Sequence, residues 1–177
     1  MYSTRKDMEE FREQLSNGSI QQAYRTLLNY MAGLRTHFAT RYPEIAVSGL
    51  YQGYMDITFF ALFPPSLKHR DLKIAIVFNY DAFKFEAWLT GRNRKVQRQY
   101  CELFRDSRWP KYRVITPAKG IDSIVECDLA KDFDFSSPDA LTSNIEETAV
   151  AFIDDVERYL SAQQHDKETQ PRGRAKR

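Results

Sequence analysis

Three groupings of side chains in this 177-residue chain have types and spacing that chemistry can use. The first is Asp56 with Asp71-Leu72-Lys73. Two carboxylates within reach of one another can hold a Mg²⁺ ion, and a nearby ammonium can orient or activate water, which is the equipment of phosphodiester hydrolysis. The plainer reading is that Asp71 and Lys73 are solvated charges at a strand end. The second grouping is Tyr51, Gln52, Tyr54, Asp56, Glu86 and Trp88. Tyr and Trp offer an apolar body with a polar tip, which suits a small molecule or peptide on a concave sheet face. The alternative is that they only cover the sheet beneath a helix. Asp56 stands out, because an acid among apolar neighbours needs a partner if it is buried. The third grouping is Arg92, Arg94, Lys95 and Arg98, four cations within seven residues at the start of a helix. Positive charge there opposes the helix dipole, so it suits an anion or an acidic partner; a solvated helix face is the competing account.

These residues must be positioned by the elements around them. The stretch from Tyr51 to Leu89 reads as three strands in the middle of an antiparallel sheet. Residues 54–62 are apolar on both sides, which predicts a central strand covered on both faces, and Pro64-Pro65 ends it. Ser66 to Arg70 is a polar connector. Lys73 to Tyr80 is a β-branched and aromatic run, and 83–89 alternates Phe83, Phe85, Ala87, Leu89 against Lys84, Glu86, Trp88, the pattern of a half-exposed strand. Before them, Ser3-Thr4 opens a first helix with Met8, Phe11 and Leu15 at helical spacing, and Asn17-Gly18 stops it. Ser19 caps a longer helix whose stripe is Ile20, Tyr24, Leu27, Met31, Leu34 and Phe38. After them, Asn93 caps a helix over 94–105, residues 112–116 and 123–129 form two further strands, and Ser137-Pro138 opens a last helix with the stripe Leu141, Ile145, Ala149, Phe152, Val156 and Leu160. The prediction is an α+β fold with a mainly antiparallel sheet of about five strands, covered by N-terminal, middle and C-terminal helices. Residues 1–162 make one domain, and 163–177 a disordered basic tail.

Composition narrows the function classes. Twelve Phe and ten Tyr supply ample core material, so the chain as a whole is not of the disordered class. The tail holds five of the 26 Lys/Arg and two of the 24 acids, which leaves 21 basic and 22 acidic residues in 1–162. A folded part so near neutrality has no global field for nucleic acid, and the basic end Pro171 to Arg177 adds only a short non-specific contribution. Cys101 and Cys127 make no CxxC and sit among apolar residues, which fits buried thiols in a reducing cytoplasm. No apolar run approaches membrane-spanning length, and the N-terminus carries no apolar leader segment. His37, His69 and His165 have no metal-ligand spacing, and no phosphate-binding glycine motif or nucleophile elbow occurs. No cofactor is indicated.

Asp56 and Asp71-x-Lys73 resemble the charged residues of restriction-endonuclease-like nucleases, with one departure: there the acid-x-Lys lies within an apolar strand, whereas Asp71 stands at a strand start after Lys68-His69-Arg70. The segments 51–60, 72–100 and 119–129 resemble an uncharacterised bacterial family, a domain of unknown function, and with the helices the likeness spans roughly 10–161. It implies a small, standalone bacterial cytoplasmic protein and carries no activity or residue role. The expectation is a non-enzymatic module that binds a small molecule or a protein, with Tyr51, Tyr54, Asp56, Glu86 and Trp88 at the ligand and Arg92, Arg94, Lys95 and Arg98 at an anion. The alternative is a Mg²⁺-dependent nucleic-acid hydrolase using Asp56, Asp71 and Lys73. Self-association through Trp88 and Trp109 is a third possibility.

Overall fold

A computed structural model of the chain describes residues 4–107 and 109–169, with side chains through 163. Helix α1 spans Thr4–Ser16 and α2 spans Ser19–Arg41. They are separated by Gly18, whose φ of 77° favours a residue without Cβ. The Asn17 side chain, not that of Ser19, caps this junction: its Oδ1 accepts from Ser19 N at 3.0 Å. The stripe of α2 is buried through Leu27, Met31, Leu34 and Phe38, each contributing roughly 1.5–3 kcal/mol by leaving water.

The sheet follows. Strands β1 (Ala46–Val47), β2 (Ile57–Phe63), β3 (Leu72–Asn79), β4 (Lys84–Gly91), β5 (Arg113–Val114) and β6 (Ser123–Ala130) pair in the order β1-β2-β3-β4-β6-β5. Every pairing is antiparallel. A single turn, α3 (Pro65–Lys68), links β2 to β3; α4 (Arg94–Asp106) follows β4, and α5 (Pro138–Thr169) follows β6. The fold is therefore α+β, with six strands where about five were expected. The sixth is the two-residue β1. The last helix runs to Thr169, into the stretch expected to be a disordered tail; 170–177 lie outside the described residues.

Register decides what each face carries. Phe60, Ile76, Ala87 and Cys127 stand opposite one another across four strands. Their side of the sheet packs on the helices: Phe38 of α2 meets Phe60 with centroids 6.0 Å apart, and Tyr30 meets Phe85 at 5.6 Å. Ile145, Ala149, Phe152 and Val156 of α5 and Cys101 and Phe104 of α4 belong to the same core. Trp109 is part of it too, stacked on Tyr159 at 4.8 Å and beside Phe104 at 5.0 Å. Self-association was expected of Trp88 and Trp109 if their rings were exposed, and Trp109 is partly buried against this core.

The opposite face carries the alternate residues: Ile57, Phe59 and Ala61 of β2, Lys73, Ala75 and Val77 of β3, and Glu86, Trp88 and Thr90 of β4. β2 was expected to be covered on both faces. On the second face Ala61 of β2 and Ala75 and Val77 of β3 are buried, while Ile57, Phe59 and Phe63 of β2 remain half-buried. Apolar residues on this second side of β2 therefore serve something other than helix packing.

Candidate functional site

On that open face lies a cavity of about 270 Å³. Its floor is Ile57, Phe59, Ala75, Val77 and Trp88, brought together by the register of β2, β3 and β4. One end is closed by Thr90, Gly91, Arg92, Asn93, Arg94 and Gln97, where β4 passes into α4, and by Asp122. Lys73 lines it from β3. Gly91 must be a glycine for this junction to close, because a Cβ there would stand 2.7 Å from Gln97 N. The helix begins at Asn93, whose Oδ1 accepts from Val96 N at 3.0 Å.

The cations at this end differ in their partners. Arg94 is tethered: it reaches Gln97 Oε1 at 2.8 Å, donates to the Ile121 carbonyl, and pairs with Asp122 at 3.3 Å. Arg92 pairs loosely with Asp71 at 3.4 Å, both side chains mostly exposed. Lys73 forms no ion pair among the described residues and also lines, with Lys68, Asp71 and Arg92, an adjoining surface hollow. Three cations against Asp71 and Asp122 leave the region with one net positive charge. Beneath it, the Thr90 hydroxyl is 5% exposed as a residue and its oxygen has no hydrogen-bond partner. Leaving a buried hydroxyl unpaired costs about 1–3 kcal/mol.

Trp88 is held by its neighbour. Glu86 is 2% exposed. Its Oε2 accepts from Trp88 Nε1 and from Asn79 Nδ2, each at 3.1 Å, and its Oε1 pairs with Lys84 Nζ at 2.7 Å. Lys84 also reaches Asp128 at 2.5 Å. Burial opposes the charge on Asp128, but hydrogen bonds from Lys131 and Lys84 prevail and hold its carboxyl below the usual range. Glu86 thus fixes the indole plane over the floor and does not itself line the cavity.

The structure regroups the sequence-derived sets. Trp88 of the second set, Arg92 and Arg94 of the third and Lys73 of the first converge on one cavity. Lys95 and Arg98 are exposed and take no part in lining it. Tyr51 borders the region, exchanging backbone hydrogen bonds with Phe59 at 2.8 and 2.9 Å. Gln52 serves through its carbonyl, which accepts from Thr58 Oγ1 at 3.2 Å. Tyr54 is almost fully exposed and stands apart.

Asp56 needs correction: it lies in a turn before β2, not inside a strand. Its Oδ1 accepts from Tyr54 N at 2.8 Å. Hydrogen bonds from the backbone of Ile57 and then Tyr54 hold its carboxyl below the usual range. Gly53, with φ 55°, and Met55, with φ 60°, shape this turn, and a Cβ on Gly53 would stand 2.1 Å from the Ile57 carbonyl. Asp56 and Asp71 are not brought together. Asp56 O accepts from Tyr80 N just past one end of β3, while Asp71 precedes its other end. Seven steps of strand separate those ends, roughly 23 Å at ~3.3 Å per residue, so the two carboxylates cannot share an ion. Among the described residues no cluster of three or more His, Cys, Asp or Glu is arranged to hold a metal.

A family described as a domain of unknown function (DUF7000) matches residues 4–160. The chain belongs to the DUF7000 family. The match takes in every element from α1 to the greater part of α5, and so includes both the cavity and the helices behind it. The sequence resemblance to a domain of unknown function is thus shown, over a slightly longer stretch than expected. No curated protein and no solved structure matches this DUF7000 chain. No helix among the described residues is long and apolar enough to cross a membrane.

Proposed function

We propose that this DUF7000 chain is a non-enzymatic binding module whose open sheet face takes a small organic anion with a flat apolar body. The observation that carries the reading is the convergence on one cavity of an apolar floor with a fixed indole and a lysine that forms no ion pair among the described residues. A flat ring lies against Trp88 and Phe59, and its carboxylate or phosphate turns toward Lys73 and Arg92. Small-molecule sites share this plan of mostly apolar walls with a few converging polar groups. The volume sets the size: about 270 Å³ suits a single ring with one charged substituent. The acids present serve as caps and ion-pair partners, so no pair is free to act as general acid and base, which favours binding over catalysis.

The test is a thermal-shift titration with benzoate, phenyl phosphate, indole-3-acetate and AMP, followed by Trp fluorescence. A ligand of millimolar Kd at fivefold excess stabilises by about 1 kcal/mol, which in a chain of this size is a rise of about 2–4 °C. At least one probe is expected to produce it, and Lys73→Met and Trp88→Leu are each expected to abolish it while remaining folded. If no probe shifts the transition, or if the shift survives both substitutions, the assignment of this cavity is wrong.

A further inference from the structure

The N-terminal helix has no partner that explains it. Met8, Phe11 and Leu15 form one stripe at helical spacing, yet α1 buries no residue. A helix of 13 residues that fully buries none of its side chains and leaves Met8 and Phe11 about half exposed is marginal in water. Its stripe calls for a surface to lie on.

Such a surface exists beside the α1–α2 junction. A groove of about 880 Å³ runs between the first turns of α2 and the loops that flank the sheet, with Ile20, Met55, Phe78, Phe83, Phe133 and Phe135 among its walls. Two of these are held at a conformational cost. Met55 and Phe83 have φ of 60° and 47°, a region that bulky side chains avoid; the Phe83 ring lies against Phe78 and Phe133 at 5.4 and 5.6 Å, and both side chains keep one side open to water. Met8, Phe11, Met55 and Phe83 are each 48% to 64% exposed. Large apolar side chains left open to water on an arm and on the groove that its root borders are an interface signature.

We propose that α1 is an exchange arm: the stripe of Met8, Phe11 and Leu15 docks in this groove on a second copy of the chain, and the second copy's arm returns the contact. The chain's own arm is a poor occupant. Asn17, Gly18 and Ser19 already line the edge of the groove, so α1 leaves from its rim. The junction is braced by Gly18 N to the Leu15 carbonyl at 3.2 Å, Gln21 Nε2 to the same carbonyl at 2.9 Å, and the Asn17 cap. Folding α1 back would break these bonds, whereas docking between copies keeps them. Ten residues of helix rise set Met8 roughly 15 Å from Gly18, a reach that suits a neighbour. Area makes the exchange reciprocal. The four exposed side chains leave roughly 100 Å² apiece uncovered. One arm in one groove falls well short of the ~1,200 Å² that a stable interface buries. Two arms in two grooves remove roughly 800 Å² from these side chains alone, and the helix flanks and groove walls supply the rest. The result is a two-fold symmetric dimer, and it does not depend on the ligand cavity across the sheet.

The test is the oligomeric state of the full chain by light scattering and sedimentation equilibrium at micromolar concentrations. Wild type is expected to be a dimer. Met8→Asp with Phe11→Asp, and separately Phe83→Asp, are expected to be monomers with unchanged far-ultraviolet circular dichroism; aspartate tolerates a left-handed backbone better than phenylalanine. A second measurement covers a variant that fails to fold. Met8→Cys and Phe83→Cys chains, mixed and oxidised, are expected to give a covalent heterodimer, while the native thiols are buried. A monomeric wild type, a dimer that survives either set of substitutions, or a Met8→Cys/Phe83→Cys double variant that closes within one chain would each overturn the proposal.

Discussion

Glu86 offers the sharpest test of how the candidate site is built. Its carboxylate is 2% exposed and accepts three hydrogen bonds, two from the neutral donors Trp88 Nε1 and Asn79 Nδ2 and one from the Lys84 ammonium. Glu86→Gln can keep its amide oxygen toward Trp88 and Asn79, because both use the same carboxylate oxygen, but it turns an NH₂ donor toward Lys84. That loses one charge-assisted bond of about 1.5–3 kcal/mol, set against relief from burying a charge. Lys84 keeps Asp128 at 2.5 Å, so it is not orphaned, and a net loss of about 1.5 kcal/mol is expected. Glu86→Leu removes all three acceptor contacts and leaves the indole N–H without a partner, for a net loss of about 3 kcal/mol. At about 2–4 °C per kcal/mol for a chain of this length, the melting temperature falls by about 3–6 °C for Gln and about 6–12 °C for Leu. Differential scanning calorimetry measures both, and Trp88 emission reports the freed indole. The order is the decisive part. If Leu is as stable as wild type, the cost of burying the carboxylate cancels its bonds, as happens at some buried ion pairs, and the argument that Glu86 fixes Trp88 fails.

Other expectations follow from groups already described. Glu146 is held below the usual carboxyl range, first by the Tyr42 hydroxyl at 2.7 Å and also by His37 and Arg41; Asp155 is held low first by Lys111, then by Tyr112. A lowered folded-state pKa gives stability above the unfolded value, near pH 4, that is lost as pH falls through the folded value. Urea midpoints should therefore drop below about pH 4, and Glu146→Gln with Asp155→Asn should flatten that limb; parallel limbs would contradict it. Burial raises both thiols, Cys127 to about 11, so a disulfide reagent should react slowly with the native chain and rapidly in urea, and prompt native reaction would show the core to be open. Gly53→Ala forces a Cβ against the Ile57 carbonyl and should destabilise by more than about 1 kcal/mol in chemical unfolding, where an unchanged midpoint would show that the turn relaxes. Asp56→Ala should cost about 1 kcal/mol through its lost turn bonds and leave any probe affinity at the open-face cavity unaltered; a lost affinity would return Asp56 to the site.

Most of the fold is legible in the sequence because period is. The stripe of α2 and the Asn93 cap each report a local geometry, and each appears in the structure; the alternation along 83–89 misleads, since β4 is buried or half-buried on both sides and Phe83 stands outside it in an exposed turn. Elements with no period of their own are not legible. β1 is two residues long, and the single-turn α3 hides in what reads as a connector. Asp56 misleads because Tyr54 to Phe60 has strand-like composition, while Gly53 and Met55 in left-handed conformations bend the chain before Ile57. The one sequence signal available was Gly53. The cavity was half visible. Trp88, Lys73, Arg92 and Arg94 stood out by chemistry, but in three separate groups, because what unites them is register across β3 and β4. Phe59 and Val77 passed as ordinary core for the same reason. An apolar residue on a strand does not state which face it serves, and Thr90 gives no sign in sequence that its hydroxyl will be left alone.

The two outermost strands, β1 and β5, are each two residues long, while every long strand lies inside the sheet. A strand edge is where one protein most easily adds to another without discrimination, since backbone amides read no side chains. Here β1 and β5, with the backbone bonds of Ser48, Tyr51 and Ile115, cover part of both outer edges and narrow that route. The ligand proposed for the open face and the second copy proposed at α1 would both be met through side chains, and side-chain surfaces are the ones that mutation can tune to a single partner.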